Sequence, residues 1–323
     1  MVKITLMLWM VVFLTAGADG ANSQGHGAPD VSPQEKQCMA RGWQRVVLPV
    51  GGLARGALWK APAGSWIRGA IIVMHGGGGS HVNFCVANSR ITEPQVSFTT
   101  LAIAQGFAVF LLDSSDQVTD NAGRLCGKVW DDEVRDRANL DLPYVRDVIR
   151  ALIPRLRPPG SRNEIFMTGL SSGGYMTVRA ATHFDDLITA FAPISSGDPY
   201  GWYRICEKGM TRRTNVHGMG VDNETGKQII ERNSCFVATY KHEKRWDSAN
   251  PPLKPAFRVF HHRYDGIVDL SCGEKVAKFL EEHGYRESAP FLLTGDGKRS
   301  FFNHLWQDEY NGPLLGFFTR QLR

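Results

Sequence analysis

Several features of common functional classes are missing from this chain. Its six cysteines form no C-x-x-C pair, so neither a zinc site nor a dithiol redox centre is expected. No glycine-rich turn ends in Gly-Lys-Ser or Gly-Lys-Thr. No G-x-G-x-x-G is followed by an acid about twenty residues on, so the usual nucleotide cradles are absent. Lys and Arg number 37 against 32 Asp and Glu, and the net charge of +5 is spread without a dense basic run. Nucleic acid is therefore not an expected partner. There is no internal repeat and no proline- or serine-rich linker to mark a second domain. After the N-terminus, no apolar stretch approaches membrane-spanning length.

What is present reads first as an export signal. Lys3 precedes the apolar run Ile4 to Thr15, and Ala16-Gly17-Ala18 fits a small-residue cleavage site. Residues 1–18 are expected to be removed, leaving a secreted or periplasmic protein without a membrane anchor. Residues 19–43 are expected to be a mobile lead-in, rich at first in Gly, Ala, Ser, Asn and Pro. An even cysteine count in an exported chain suggests disulfides. Sequence proximity favours Cys206 with Cys235 and Cys85 with Cys126, which leaves Cys38 with Cys272.

From residue 44 to 323 the chain alternates short apolar runs with helical patterns. Strands are expected at 44–50, 57–60, 70–74, 107–112, 164–168, 188–194, 257–260 and 291–293. Helices are expected at 97–105, from Asp141 to a stop near Pro154, after residue 172, at 275–282, and near the C-terminus. Strands that are apolar at every position are covered on both faces. The pattern implies an α/β fold: one mostly parallel sheet with helices on both faces. Residues 197–255 break the alternation and are too long for a plain connection, so a lid-like insertion is expected there.

The chemistry centres on Gly169-Leu170-Ser171-Ser172-Gly173-Gly174, which joins an apolar strand to a helix. A serine at its own pKa is a poor nucleophile and needs a base, and the base needs an orienting acid. In a doubly wound sheet such groups stand beyond the C-terminal ends of strands. Asp265, after the strand 257–260, is the expected acid; Asp198 and Asp269 are the alternatives. His304, after the last strand, is the expected base. His261 and His262 leave the strand too early to reach Ser171, and His217 and His242 fall in the insertion. The oxyanion hole is expected from the N–H of Ser172 and from Gly76 and Gly77 in His75-Gly76-Gly77-Gly78. Chain order Ser171, Asp265, His304 is that of an α/β-hydrolase triad.

The serine box with Tyr175-Met176, the stretch Ala180 to Leu187 and Ser195-Ser196-Gly197 resemble the secreted poly(3-hydroxybutyrate) depolymerase and feruloyl/acetylxylan esterase family. His261 to Val268 resembles that family's acid loop, with His262 where glycine is usual. His304-Leu305-Trp306 resembles its base segment, and Cys126 to Trp130 a cysteine- and tryptophan-bearing loop. The resemblance implies an ester substrate, either a hydroxyalkanoate polyester or a plant-wall ester. The triad implies an acyl-enzyme mechanism that needs no metal or cofactor. Trp202, Tyr203, Trp246 and Trp306 are candidates to line an apolar or aromatic acyl site, and a monomer is expected. A serine peptidase on the same fold and a non-catalytic binding protein are the alternative classes.

Overall fold

The computed structural model describes residues 30–119, 125–132, 138–199 and 254–323, together with the backbone of five strands between 201 and 240. Its frame is one sheet. β1 (Gln44–Val50) pairs antiparallel with β2 (Leu53–Lys60), and β2 pairs antiparallel with β4 (Ala108–Leu112). All remaining pairs in this sheet are parallel. β3 (Ala70–Met74) lies between β4 and β5 (Ile165–Leu170), and β6 (Ala190–Ile194) follows β5. Ala256–Phe257 and Phe260–His262 then run along β6, paired outward with Arg286–Glu287 and Phe291–Leu293.

The apolar runs are solid because both faces of the sheet are covered. Ile72 and Met74 point into one core and Ile71 and Val73 into the other. The first core is completed by Val145, Val148 and Leu152 of one helical segment, Met176 and Ala180 of a second, and Val276 and Leu280 of a third. The opposite core takes Phe98 and Ala102 of Glu93–Ala104, and Leu314, Phe317 and Phe318 of Asn311–Arg320.

Three expectations require correction. The first concerns the lead-in over 19–43. Pro33–Ala40 is a helix closed by a capping box, in which Ser32 Oγ accepts from Glu35 N–H and the Glu35 carboxylate accepts from Ser32 N–H. The second concerns disulfides. Cys38 of that helix pairs with Cys85, after the 3-10 turn His81–Phe84, so neither Cys85–Cys126 nor Cys38–Cys272 forms. The reason is tertiary: helix and turn meet on one face of the sheet, and both sulfurs are buried there. Cys126 is exposed, Cys272 is disulfide-bonded, and the expected Cys206–Cys235 pair lies outside the described residues. The third concerns Pro154, which does not end its helix. Leu142–Asp147 passes through a π-helical turn, Val148–Leu152, into a last turn Ile153–Leu156. The wider turn accommodates the proline, which lacks an N–H to donate.

Within 197–255 the backbone forms antiparallel strands, Gly201–Glu207 pairing with both Met210–Arg213 and Val237–Tyr240. The segment 1–18 lies outside the described residues.

Candidate active site

Ser171 sits at the turn from β5 into the helix Ser172–His183 with φ 54 and ψ −119. A side-chain-bearing residue adopts this backbone only when its surroundings hold it there. The glycines explain how. A Cβ on Gly173 would overlap the carbonyl oxygens of Met74 and His75, and one on Gly169 would overlap the carbonyl of Gly173. On Gly174 it would come within 2.8 Å of the Ile194 carbonyl oxygen and strike the Ser196 side chain. Helix, β3 and β5 thus approach at backbone distance only because these positions carry no side chain. The Ser171 N–H donates to the Ile194 carbonyl at 2.9 Å, which ties the turn to β6.

Asp265 lies beyond the strand Phe260–His262, and His304 in a 3-10 turn beyond Phe291–Leu293. Both are buried, and His304 Nδ1 meets Asp265 Oδ2 at 2.8 Å. The other carboxylate oxygen accepts from the N–H groups of Ile267 at 2.7 Å and Val268 at 2.9 Å. Burial alone would push this carboxyl up. The charge and hydrogen bond of His304, with help from His261 and Ile267, outweigh it and hold Asp265 below the ordinary carboxylate range. Gly266 lets the two loops touch. Its N–H donates to the Ser300 carbonyl at 3.0 Å, and a Cβ there would lie 2.8 Å from the Ser300 carbonyl carbon. Ser171, Asp265 and His304 all follow C-terminal ends of parallel strands, and so occupy one edge of the sheet.

The competing candidates are committed elsewhere. Asp269 caps the helix Leu270–Glu282 and pairs with Arg299. Asp198 is buried after β6, where its charge acts on Tyr175 and Lys275. His261 is fully buried, with Nε2 at 2.9 Å from the Val268 carbonyl, so that nitrogen carries the proton it donates. Burial pushes its pKa down, against the pull of Asp265. His262, in the position where the acid loop usually has glycine, accepts the Tyr264 N–H on Nδ1 at 3.0 Å. His217 and His242 lie outside the described residues.

The glycine loop after β3 is held from three sides. Ser114 N–H donates to His75 Nε2 at 3.0 Å, which assigns the ring proton to Nδ1, where it meets the Gly76 carbonyl at 2.8 Å. Gly78 N–H donates to the Lys128 carbonyl at 2.7 Å, and Trp130 Nε1 to the His75 carbonyl at 2.8 Å. A Cβ added at Gly77 would stand 3.8 Å from Ser172 Cβ, so the two segments expected to form the oxyanion hole are neighbours.

Of the acyl-site candidates, Trp306 is corrected. It is 1% exposed, its Nε1 donates to Asn311 Oδ1 at 2.8 Å, and its ring packs on Phe84 and Phe98. It is core, because the segment after His304 packs on the helix Glu93–Ala104, where Asn311 Nδ2 also donates to the Pro94 carbonyl at 3.0 Å. The side chains of Trp202, Tyr203 and Trp246 lie outside the described residues.

Sequence reasoning passed over Asp132, whose carboxylate accepts from Ser172 Oγ at 2.9 Å. It also passed over the chain Glu35–His81–Asp113. There His81 Nε2 lies 3.4 Å from Glu35, and Nδ1 lies 3.1 Å from Asp113. Neither has a local pattern; only Trp130, in the loop noted for its resemblance, carried a signal. Among the described residues no group of three or more His, Cys, Asp or Glu is placed to hold a metal ion.

No family model matches the chain, and no curated protein does either. Solved structures do. A thermostable esterase aligns over 87% of this chain and 63% of its own length, at 16% identity and TM-score 0.52. The acylaminoacyl peptidase of Pyrococcus horikoshii aligns over 87% of this chain and 41% of its own, at 19% identity and TM-score 0.53. An arylesterase aligns over 87% and 85%, at 15% identity and TM-score 0.50. The chain thus spans less than two thirds of the first two, and the likeness is one of fold. With a mostly parallel sheet, helices on both faces and a glycine-pinched serine turn, the chain has the α/β-hydrolase fold.

Proposed function

We propose that this chain is a secreted or periplasmic serine hydrolase of carboxylic esters, with hydroxyalkanoate polyesters or their oligomers as the favoured substrate. Ser171 Oγ attacks the ester carbonyl and passes its proton to His304 Nε2. The oxyanion is met by the N–H of Ser172 and by the Gly76–Gly77 loop. On collapse the leaving alcohol takes the proton from His304, and water then releases the acyl group by the same route. Asp265 holds the Nδ1 proton, so that Nε2 presents its lone pair.

The observation that carries this reading is the pairing of two features on one sheet edge: a serine at positive φ before a helix, and a histidine bonded to a buried carboxylate. The Cys38–Cys85 disulfide supports an oxidising compartment. The expected working form is a monomer without cofactor. The polyester preference rests on the serine box and acid loop alone.

Two measurements test it. Ser171→Ala should lower p-nitrophenyl ester hydrolysis by about a thousandfold or more; undiminished turnover would end the assignment. A panel of hydroxybutyrate oligomers, feruloyl esters, acetylated xylan and aminoacyl amides then ranks the substrates. Preference for the feruloyl or acetyl esters would favour a carbohydrate esterase, and preference for the amides a peptidase.

A further inference from the structure

We propose that the segment Lys128–Asp132 is a clamp that aligns the two halves of the oxyanion hole, with Trp130 and Asp132 as positioning residues. The inference rests on the serine-hydrolase reading and deepens it. The two expected donor segments belong to different elements: the glycine loop follows β3, and Ser172 opens the helix after β5. An oxyanion hole works only if its donors converge on one point before the reaction, so something must fix one segment against the other.

Lys128–Asp132 holds both. Toward the glycine loop, the Lys128 carbonyl accepts from Gly78 N–H at 2.7 Å and Trp130 Nε1 donates to the His75 carbonyl at 2.8 Å. Val129 packs against Gly77, with Cγ1 3.3 Å from where a Cβ would stand. Toward the helix, Trp130 N–H donates to Ser172 Oγ at 3.0 Å, and Ser172 Oγ donates to Asp132 Oδ2 at 2.9 Å. The segment is itself anchored. Arg179, farther along the same helix, donates to the Asp131 carbonyl at 3.3 Å, and Asp131 N–H donates to Asp141 Oδ2 at 2.6 Å.

The chemistry of residue 172 makes this more than loop packing. Its expected contribution to the reaction is a backbone N–H, which any residue but proline supplies. Yet its hydroxyl is buried and used twice, once as acceptor and once as donor, and the donor bond ends on a fully buried carboxylate. Burying that carboxylate costs free energy unless its bonds offset it. An aspartate spent this way controls where Ser172, and with it the N–H, is directed.

The test uses the full chain and counts active sites by covalent titration of Ser171 with a fluorophosphonate. Ser172→Ala and Asp132→Ala should each lower kcat per titrated site by about ten- to a hundredfold, with KM within about twofold of wild type. The rate of phosphonylation should fall in parallel, because the phosphoryl oxygen occupies the same hole. Asp132→Asn keeps an accepting oxygen and should recover most of the loss seen in Asp132→Ala. Trp130→Phe, which keeps an aromatic side chain and the backbone N–H but removes the indole N–H to the His75 carbonyl, covers the case in which Asp132→Ala does not fold. Wild-type kcat in Ser172→Ala and Trp130→Phe would overturn the clamp while leaving the hydrolase reading intact. So would a loss found only in KM or in the number of titratable sites. A wild-type protein that neither turns over esters nor takes the label would overturn both.

Discussion

At the scale of single residues, the site depends on atoms that are missing as much as on those present. Gly173 is the clearest case, since any Cβ there collides with the backbone of β3. Gly173→Ala should lose about 1–3 kcal/mol of stability and most activity, because no side-chain motion can relieve a clash with carbonyl oxygens. Thermal unfolding alongside ester turnover reads both. Gly78 provides the contrast: its φ is 73, but no atom lies near an added Cβ. Asp265→Asn tests the tautomer argument. An amide in place of the carboxylate can present an N–H to His304 Nδ1, which then leaves Nε2 protonated and unable to accept from Ser171. A fall in kcat on the order of ten-thousandfold with little change in fold is expected. The serine box was legible because its glycines have a local steric reason. Asp132 was not legible, because nothing near it in the chain indicates that it meets Ser172.

At the scale of elements, the helix Pro33–Ala40 shows how a segment read as a lead-in becomes structure. Its own sequence is weakly apolar, and only Glu35 and Cys38 are buried. It is held by the disulfide and by Arg41, whose Nη1 donates to the Cys85 carbonyl at 3.2 Å. It is also held by Glu35, bonded to Arg45 at 2.9 Å and lying beside His81. The disulfide closes a separation of 47 residues, so replacing both cysteines by serine should cost about 4 kcal/mol on the chain-entropy account. Calorimetry or urea titration measures it, and no change would contradict the chain-entropy account for this bond. His81 adds a pH-dependent part. Burial pulls its pKa down, but Asp113 and Glu35 outweigh that and raise it. A raised histidine contributes stability that is full below its unfolded pKa and fades as pH rises through the folded value. His81→Gln should therefore reduce the loss of stability as pH rises above the ordinary histidine value. The sheet strands, by contrast, were readable because two covered faces demand apolar residues at every position.

At the scale of the whole molecule, stability should fall steeply in acid. Burial pushes Glu35 up, yet His81, the Ser32 N–H and Arg45 lower it from 4.5 to about 2. Asp265, Asp269 and Glu164 are likewise held down. Below their unfolded pKa values the unfolded chain binds more protons than the folded one, so stability is full above those values and is lost as pH falls through the folded ones. Asp141, which burial pushes up despite Arg55, opposes the trend. Melting temperatures from pH 6 down to pH 2 should decline most below about pH 4.5, and Glu35→Gln should flatten that decline. A profile flat to pH 2 would contradict the bonded network around Glu35 and Asp265.

By itself the amino-acid sequence determined the layered α/β architecture and the strand-to-helix serine turn, because periodicity and glycine sterics act over a few residues. It also marked Asp265 and His304, since chain order and strand ends limit where such groups can stand. Only the tertiary structure decided which cysteine meets Cys38, that Trp306 is core, and that Lys128–Asp132 joins the glycine loop to Ser172. Those are contacts between segments far apart in the chain, and they exist only once the sheet has brought its loops to one edge.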